Sequence, residues 1–338
     1  MKQLSIIGLS KSGKTCYIYA MAQSMIRGYE GLNIIASDND LRLKLDLGWR
    51  TICSQNTWLN GTDQVTKCTF NCLLNLSPVM EFCWEDFEGG ALTSFNEVST
   101  RFREEFDQYL RESDGLIVFT PSDVIQDILE NRNNSVALKN DLGVLMQMFL
   151  ANIDTLRNIP VTVLITKSDL LTTRVEKEYG IDLIKAIFDP LFRIGNKMKV
   201  LVVPVSLGVN LGRGQQGQEV HGDLYGNPND GNIHIPIVFY LYHFLKDCIL
   251  VEKNELGTLN QKEESRYLEL RKVESHNGLQ RWWNYEDPDE IRNNIGLIGD
   301  EKKRKSEKIA QLEKDLEKVT NLFTGNCQYY IDGQLVEF

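Results

Sequence analysis

The sequence predicts an α/β protein in which helices cover both faces of a mostly parallel β-sheet. Apolar segments of strand length alternate with segments of helical periodicity over the first three quarters of the chain, which is typical of βαβ units. Two of the strands, at 115–119 and 200–205, are apolar without interruption, which indicates a sheet covered on both sides. With 42% hydrophobic and 25% charged residues, the composition excludes a mostly disordered chain.

The individual elements follow from this alternation. Strands are predicted near residues 2–7, 66–76, 79–85, 115–120, 160–166 and 200–206. Helices are predicted over 14–27, 93–112, 136–157, 175–195 and 234–249. Only Ser77 and Pro78 join the second strand to the third, which is too short for a crossover helix, so this pair should form an antiparallel hairpin. The prediction is therefore a three-layer α/β/α sandwich with one antiparallel edge.

The composition changes near residue 254, and we place a domain boundary between 1–253 and 254–338. The second region holds 30 charged residues among 85, against 54 among 253 in the first region. Residues 300–323 carry a single apolar stripe, which predicts a charged, solvated helix. The dipeptide Asp332-Gly333 between two short apolar segments predicts a two-residue β-turn. We therefore expect a small helical C-terminal appendage that ends in a β-hairpin.

Charge and cysteine content narrow the class of function. The net charge is −10, and neither region is a basic arm, so we expect no direct binding of nucleic acid. The seven cysteines are scattered without a Cys-x-x-Cys pair, which argues against a disulfide framework or a zinc site and favours a reducing compartment. No apolar run has the length of a signal segment or a membrane span. We expect a cytoplasmic protein.

Residues 8–15 form a phosphate-binding loop of the pattern G-x-x-x-x-G-K-[ST], placed between a predicted strand and a predicted helix. Gly8 and Gly13 permit a tight turn whose amides would face phosphate oxygens at a helix N-terminus. Lys14 would contact the β- and γ-phosphates during catalysis, and the Thr15 hydroxyl would bind Mg²⁺. A chance glycine-rich turn is disfavoured because the flanking elements agree with the motif. The residues expected to bind phosphate are Gly8, Ser10, Lys11, Ser12, Gly13, Lys14, Thr15 and Cys16.

A second motif would hold the metal ion and sense the γ-phosphate. Asp86 stands at the C-terminal end of a predicted strand, where it would hold Mg²⁺, and the Gly89 amide would swing onto the γ-phosphate. By itself this segment is more typical of a plain loop, and the phosphate loop that precedes it reverses that preference. A switch also needs a hydroxyl that meets Mg²⁺ only in the triphosphate state, and Thr62 is our candidate for that catalytic role. Thr66 is the alternative, and an ordinary loop threonine is a further one.

A third motif at the end of the strand 160–166 predicts base recognition. The Asp169 carboxylate can accept two hydrogen bonds from guanine N1 and N2, donors that adenine lacks, and the Lys167 stem can cover the base. Thr166 precedes them, and the alternative is a solvated turn that caps the next helix. The loop at Ser206 and Leu207, after the next strand, would contact guanine O6 through its amides.

In this order, the three motifs resemble those of the translation-factor-related (TRAFAC) class of P-loop GTPases over about residues 1–250. Residues 8–15 match its first motif, 86–89 its Asp-x-x-Gly motif and 166–169 its Asn/Thr-Lys-x-Asp motif. The long insert after Thr15, up to residues 58–62, and the opening of the last helix at 232–236 look more like the bacterial double-GTPase subgroup, which is associated with conflict and defence systems, antiviral defence among them. The resemblance implies the P-loop NTPase sandwich, GTP or GDP with Mg²⁺, and a molecular switch that works with protein partners.

Two departures from the class bear on activity. Gly90 stands where many members carry a glutamine or histidine that orients the attacking water, so intrinsic hydrolysis should be slow without a partner. Thr166 replaces the commoner asparagine. The alternative function is a non-catalytic assembly module in which GTP is structural and 254–338 docks a partner. A P-loop kinase fits less well, because the segment 166–169 is better explained by guanine and no arginine-rich lid is evident.

Overall fold

The computed structural model describes residues 1–9, 11–59, 67–86, 100–130, 135–213, 217–275, 287–323 and 327–337. The strands are β1 (Lys2–Gly8), β2 (Leu32–Ala36), β3 (Lys67–Leu74), β4 (Ser77–Asp86), β5 (Gly115–Pro121), β6 (Pro160–Thr166), β7 (Lys199–Pro204), β8 (Gly208–Val209), β9 (Asp223–Leu224), β10 (Gln328–Ile331) and β11 (Gln334–Val336). The helices are α1 (Lys14–Ile26), α2 (Asn39–Ser54), α3 (Thr100–Arg111), α4 (Ser122–Leu129), α5 (Ser135–Ala151), α6 (Ile153–Leu156), α7 (Arg174–Ile187), α8 (Asp189–Phe192), α9 (Ile235–Ser275) and α10 (Pro288–Thr320).

Among the described residues, nine strands form one mixed sheet in the order β11-β10-β7-β6-β5-β1-β4-β3-β2. The five strands from β7 to β4 in this order pair in parallel. β3 and β4 form the antiparallel hairpin that the sequence predicts, and β2 extends it. This arrangement confirms the predicted α/β sandwich with mostly parallel strands and one antiparallel edge at β3 and β4.

Helices cover both faces of the sheet, as the uninterrupted apolar strands predict. On one face, Leu145 of α5 and Ile184 of α7 share a buried cluster with Val118 of β5. On the other face, the ring of Tyr17 in α1 lies 5.4 Å from the ring of Phe119, the next residue of β5. Because successive side chains of a strand point to opposite faces, every residue of β5 is buried.

The sheet has a second antiparallel edge that the sequence analysis did not predict. β10 pairs antiparallel with β7 and, through a turn at Asp332 and Gly333, with β11. Both turn residues have positive φ, 49° and 75°, as a type I′ hairpin requires. Tyr329 and Tyr330 are 2% and 5% exposed, and their burial explains why this hairpin joins the sheet. Composition alone assigned it to the C-terminal appendage, because a long-range strand pairing leaves no local signal.

One strand and one helix near the N-terminus are also absent from the sequence prediction. β2 and α2 lie within the segment interpreted as an insert after the phosphate loop. The Asp38 carboxylate accepts a 2.9 Å hydrogen bond from the Leu41 amide and caps α2. The capping aspartate is the local signal that could have located this helix.

By their internal contacts, the described residues divide into two compact units, 1–240 with 322–338, and 241–321. The unit that contains the sheet therefore ends earlier than the predicted boundary at 253 and includes the terminal hairpin. In the second unit α9 and α10 run antiparallel. Two ion pairs between them show this: Glu252 pairs with Lys305 at 2.9 Å, and Glu274 pairs with Arg292 at 2.6 Å. None of the described helices combines the length and the apolarity that crossing a membrane requires.

Candidate functional site

The loop between β1 and α1 has the backbone that the phosphate-loop motif demands. A Cβ atom at Gly8 would lie 2.6 Å from the Cβ of Phe119, so no other residue fits there without a shift of the strand. Gly13 has φ 89°, and Lys11 has φ 64°, both in the left-handed region. The Ser12 amide donates to the Leu9 carbonyl at 3.2 Å, which closes the turn. Ser10 lies outside the described residues.

Lys14 begins α1 and its side chain turns back over the loop. Its Nζ donates to the carbonyl of Gly8 at 2.9 Å and to that of Leu9 at 3.3 Å. The residue is buried. A buried ammonium needs oxygen partners, and phosphate oxygens would serve it better than neutral carbonyls because they carry charge.

The Ser12 hydroxyl supplies an independent sign of a ligand. Its Oγ is buried, and it has no hydrogen-bond partner among the described residues. Burying a hydroxyl without a partner costs about 1–3 kcal/mol, so the group fits a site that an oxygen-rich ligand completes. The Thr15 side chain is half-buried at the start of α1. Burial raises the pKa of the Cys16 thiol to about 11, so Cys16 is neutral at physiological pH.

The loop after β6 contacts the phosphate loop directly. Thr166 Oγ1 donates a 2.7 Å hydrogen bond to the Ser12 carbonyl. Lys167 follows with φ 54°, and its Nζ lies 2.7 Å from the Asp123 carboxylate of α4. β6 and β1 lie on either side of β5, and all three strands are parallel, so their carboxyl ends meet at one edge of the sheet.

Asp169 is held in place by two donors. The Leu211 amide donates to its Oδ2 at 2.9 Å, and the Ser206 hydroxyl lies 3.0 Å from its Oδ1 and shares its one proton between this oxygen and the Gly208 carbonyl, 2.6 Å away. Burial raises the pKa of Asp169 above its ordinary value, and these hydrogen bonds oppose the rise. A carboxylate has about four acceptor positions, so capacity remains for further donors such as the N1–H and N2–H of a guanine.

The loop that follows β7 packs closely against this carboxylate. A Cβ atom at Gly231 would lie 1.7 Å from the Ser206 carbonyl oxygen, and the Ser206 amide donates to the Gly231 carbonyl at 3.2 Å. Ser206 and Leu207 are predicted to contact the base, and the contact between Ser206 and the Asp169 carboxylate brings this pair beside Asp169. Leu207 is half-buried and packs in a small apolar cluster that also includes Cys16 and Leu211.

A short ladder joins this loop to the segment before residue 60. The Trp58 amide donates to the Gln218 carbonyl at 2.9 Å, and the Val220 amide donates to the Asn56 carbonyl at 2.7 Å. No local sequence signal indicates this contact, since its two sides are separated by more than 150 residues. The cluster with Cys16 and Leu207 also contains the Trp58 side chain, so the ladder packs against the loop that follows β7.

The predicted metal side of the site is only partly described. β4 ends at Asp86, whose backbone is in register with Ile6 of β1, so the strand ends at the same edge as the phosphate loop. The side chain of Asp86 is not among the described features, and Thr62, Thr66, Gly89 and Gly90 lie outside the described residues. Within the described part of the chain, no group of three or more His, Cys, Asp or Glu side chains is arranged to hold a metal ion.

Comparison with known proteins yields structural neighbours and no sequence relative. No protein-family model matches the chain, and neither does any curated protein sequence. A crystal structure of Era from Aquifex aeolicus, a variant bound to GDP·AlF4⁻, is similar with 15% identity and a TM-score of 0.31, covering 61% of this chain and 52% of that one. A variant of SsGBP is similar with 14% identity and a TM-score of 0.29, covering 61% and 48%. The chain thus spans about half the length of each neighbour.

Proposed function

We propose that this protein binds guanine nucleotides with Mg²⁺ and hydrolyses GTP slowly, as a molecular switch. The observation that carries the proposal is the meeting of two loops at one sheet edge. The phosphate loop with Lys14 and the loop with Asp169 are joined there by the hydrogen bond from Thr166 to Ser12. A phosphate cradle beside a fixed carboxylate suits a ligand that carries both phosphates and a base with two adjacent donors.

The phosphate end of such a ligand would be bound by amides and by two side chains. The amides of Lys11 and of Gly13 to Cys16 lie at the N-terminus of α1, where the helix dipole favours negative charge. The Lys14 ammonium would exchange its two carbonyl acceptors for phosphate oxygens, and the Ser12 hydroxyl would gain the partner it lacks. Both changes favour the bound state.

The base end would be recognised by Asp169, Lys167 and the loop after β7. The Asp169 carboxylate would accept from N1–H and N2–H, and the Lys167 stem would lie along the face of the base. The Ser206 hydroxyl and the Leu211 amide hold the carboxylate in one orientation, so little ordering remains for the moment of binding. The Leu207 amide would face O6, since the Ser206 amide already donates to the Gly231 carbonyl.

Thr15, Asp86 and Thr62 would hold Mg²⁺, a hard cation that prefers oxygen ligands. The ion would supply charge neutralisation on the β- and γ-phosphates. Hydrolysis would rely on the loop amides and Lys14 to stabilise charge as water attacks the γ-phosphate, with the Gly89 amide as a further donor. Gly90 offers no side chain to orient that water, so the rate should be low unless a partner supplies one.

The protein partner is a separate part of the proposal. A switch of this kind would change the segments around Thr62 and Gly89 between the GTP and GDP states, and the partner would bind one state. The sequence resemblance is our reason to propose a partner from a bacterial defence or conflict system, and the free cysteines among the described residues fit a reducing cytoplasm. Copurification with a partner that depends on a GTP analogue, and is lost with GDP, would support this assignment.

Calorimetric titration with GDP and ADP, followed by GTP turnover, tests the core proposal. We expect GDP to bind at least tenfold more tightly than ADP. The difference arises because adenine would leave donors and acceptors of the site unpaired, which lowers the affinity by at least that factor. Lys14→Ala should abolish turnover, whereas Lys44→Ala, a change on the exposed side of α2, should not. Equal binding of the two nucleotides would refute guanine selection, and turnover unchanged in Lys14→Ala would show that the activity has another source.

The absence of a side chain at Gly90 favours a second candidate, a GTP-binding assembly module without catalytic function. In that case bound GTP would persist. Single-turnover hydrolysis, with and without a candidate partner, separates the two functions, because a switch releases phosphate at least when the partner is present.

A further inference from the structure

Helix α4 carries three polar residues that contact the loop after β6 or the loop after β7, the two loops proposed to bind the base. Asp123 Oδ2 accepts a 2.7 Å hydrogen bond from Lys167 Nζ, and both side chains are about one-fifth exposed, at 21% and 20%. One turn later, Gln126 Nε2 donates to the Leu170 carbonyl at 2.6 Å. Asp127 pairs with Arg213 at 2.8 Å. These three residues stand at positions i, i+3 and i+4, on one face of the helix, and together they contact both of these loops.

The pairing of β5 with β6 explains why Asp123 meets Lys167. The two strands are parallel, and Pro121 at the end of β5 is in register with Thr166 at the end of β6. Asp123 stands two residues beyond Pro121, and Lys167 one residue beyond Thr166, so both leave the sheet at the same point. Asp123 lies in the first turn of α4, where the helix dipole favours a carboxylate, and its Oδ1 also accepts from the Val124 amide at 3.0 Å.

Both oxygens of the Asp123 carboxylate are hydrogen-bonded, so the carboxylate holds the Lys167 ammonium at a fixed position. The lysine backbone is in the left-handed region, and its ammonium is tied to α4, so the stem between them is held at both ends. A lysine stem has several free torsions, and holding it in advance removes their entropy cost from binding. Asp169 is two residues further along the same turn, so a shift of the lysine backbone would pass to the carboxylate in addition to what Ser206 and Leu211 impose on it.

We propose that Asp123 is a positioning residue for guanine recognition: it holds Lys167, and through it the turn with Asp169, in the orientation that binds the base. The inference rests on the proposed function, because it assigns a further residue to the same site. The proposed role of Asp123 differs from that of a plain structural ion pair in one respect. Removing a structural pair lowers stability and affects all ligands alike, whereas removing a positioning residue lowers the preference for one base over another.

Titration with GDP and IDP, which differ only in the exocyclic 2-amino group of the base, measures that preference. We expect Asp123→Ala to lower GDP affinity about tenfold and to reduce the GDP-over-IDP ratio, because a displaced Asp169 no longer meets the amino group. Asp123→Glu keeps a carboxylate and should restore most of the ratio. Asp154→Ala removes an exposed carboxylate, 89% accessible and paired with Arg157, and should leave the ratio unchanged.

Two further measurements keep the test decisive. Should Asp123→Ala fail to fold, as judged by thermal unfolding without nucleotide, Asp123→Asn removes the charge while keeping the shape of the side chain, and the same loss of ratio is expected. In a Lys167→Met background, Asp123→Ala should change the GDP-over-IDP ratio no further, since the lysine is the residue through which it acts.

Three results separate the possible failures. An unchanged ratio in Asp123→Ala would overturn the inference and leave the pair as a structural contact. Tighter GDP binding would also overturn it, because it would show that Asp123 withholds Lys167 from the base. A wild-type chain that binds GDP and ADP equally would overturn the proposed function itself, whatever the variants do.

Discussion

The Thr166 hydroxyl donates a 2.7 Å hydrogen bond to the carbonyl of Ser12, although the two residues lie 154 positions apart in the chain. The bond joins the turn that would recognise the base to the loop that would bind the phosphates. Both residues are buried, at 4% and 1% exposure. Threonine at position 166 therefore supplies a donor at the point where the two loops meet.

Replacing Thr166 with valine should weaken both stability and nucleotide binding. The substitution keeps the shape of the side chain and leaves the buried Ser12 carbonyl without its donor, at a cost of about 1–3 kcal/mol in the free energy of unfolding. Denaturant unfolding and GDP titration measure the two effects. Thr166→Ser retains the hydroxyl and should behave like the wild type. Equal loss in the serine variant would show that packing of the methyl group, and not the hydrogen bond, matters there.

A methyl group at Gly8 should destabilise the protein. The Cβ of alanine would lie 2.6 Å from the Phe119 Cβ and 2.9 Å from the Ser12 Oγ, so β1 or β5 must shift. We expect Gly8→Ala to lower the free energy of unfolding by about 1–3 kcal/mol, the usual cost of overpacking. Gly143→Ala is the matched control, because a Cβ there meets no atom of the described residues within 4 Å and alanine favours a helix. In thermal unfolding, Gly8→Ala should lower the melting temperature relative to the wild type, and Gly143→Ala should raise it.

A disulfide between positions 57 and 219 should slow the release of bound GDP. Thr57 and Glu219 form an antiparallel bridge between the two hydrogen bonds of the ladder, so they are a non-hydrogen-bonded pair with close Cα atoms. The 217–220 side of the ladder continues from the loop whose Leu211 amide binds Asp169, and a fixed ladder should hinder the opening of that loop.

The test uses Thr57→Cys with Glu219→Cys in a background where the exposed Cys53 is serine. Release of a fluorescent GDP is followed in oxidised and reduced protein, with each single cysteine variant as a control. Oxidation should slow release only in the double variant. Equal rates in the oxidised and reduced forms would show that the ladder stays closed during release.

His234 should make stability depend on pH below neutrality. Its ring is 1% exposed and lies 4.1 Å from the ring of Tyr29, and burial lowers its pKa from 6.5 to about 4. The unfolded chain takes up a proton near pH 6.5, whereas the folded chain does so only near pH 4. The contribution of the neutral ring is therefore complete above pH 6.5 and is lost as the pH falls toward 4.

The expected loss over that window is about 3 kcal/mol, from the size of the shift. Carboxylates titrate in the same range, so the measured quantity is the difference between the wild type and His234→Gln in unfolding free energy against pH. The variant should show a flatter curve. His221→Gln, at an exposed position, should follow the wild-type curve. Parallel curves for the wild type and His234→Gln would contradict the assignment.

Local patterns predicted the elements whose signal lies in a few adjacent residues. The phosphate loop, the apolar strands and the hairpin of β3 and β4 are of this kind, since turn residues and periodicity act at short range. The contact between Asp123 and Lys167 depends on which strand lies beside which, and so does the docking of Tyr329 and Tyr330 on β7. Such contacts join segments far apart in the chain, and no spacing rule indicates them.

Exchanging the Asp169 carboxylate for an amide tests whether this residue selects guanine. Asp169→Asn replaces two acceptors with one acceptor and one donor, which complements xanthine, whose C2 carries a carbonyl where guanine carries an amino group. Titration of the wild type and the variant with GDP and XDP should show the preference reversing from GDP to XDP. A variant that keeps its preference for GDP, or a wild type that binds both nucleotides equally, would contradict the assignment of this site.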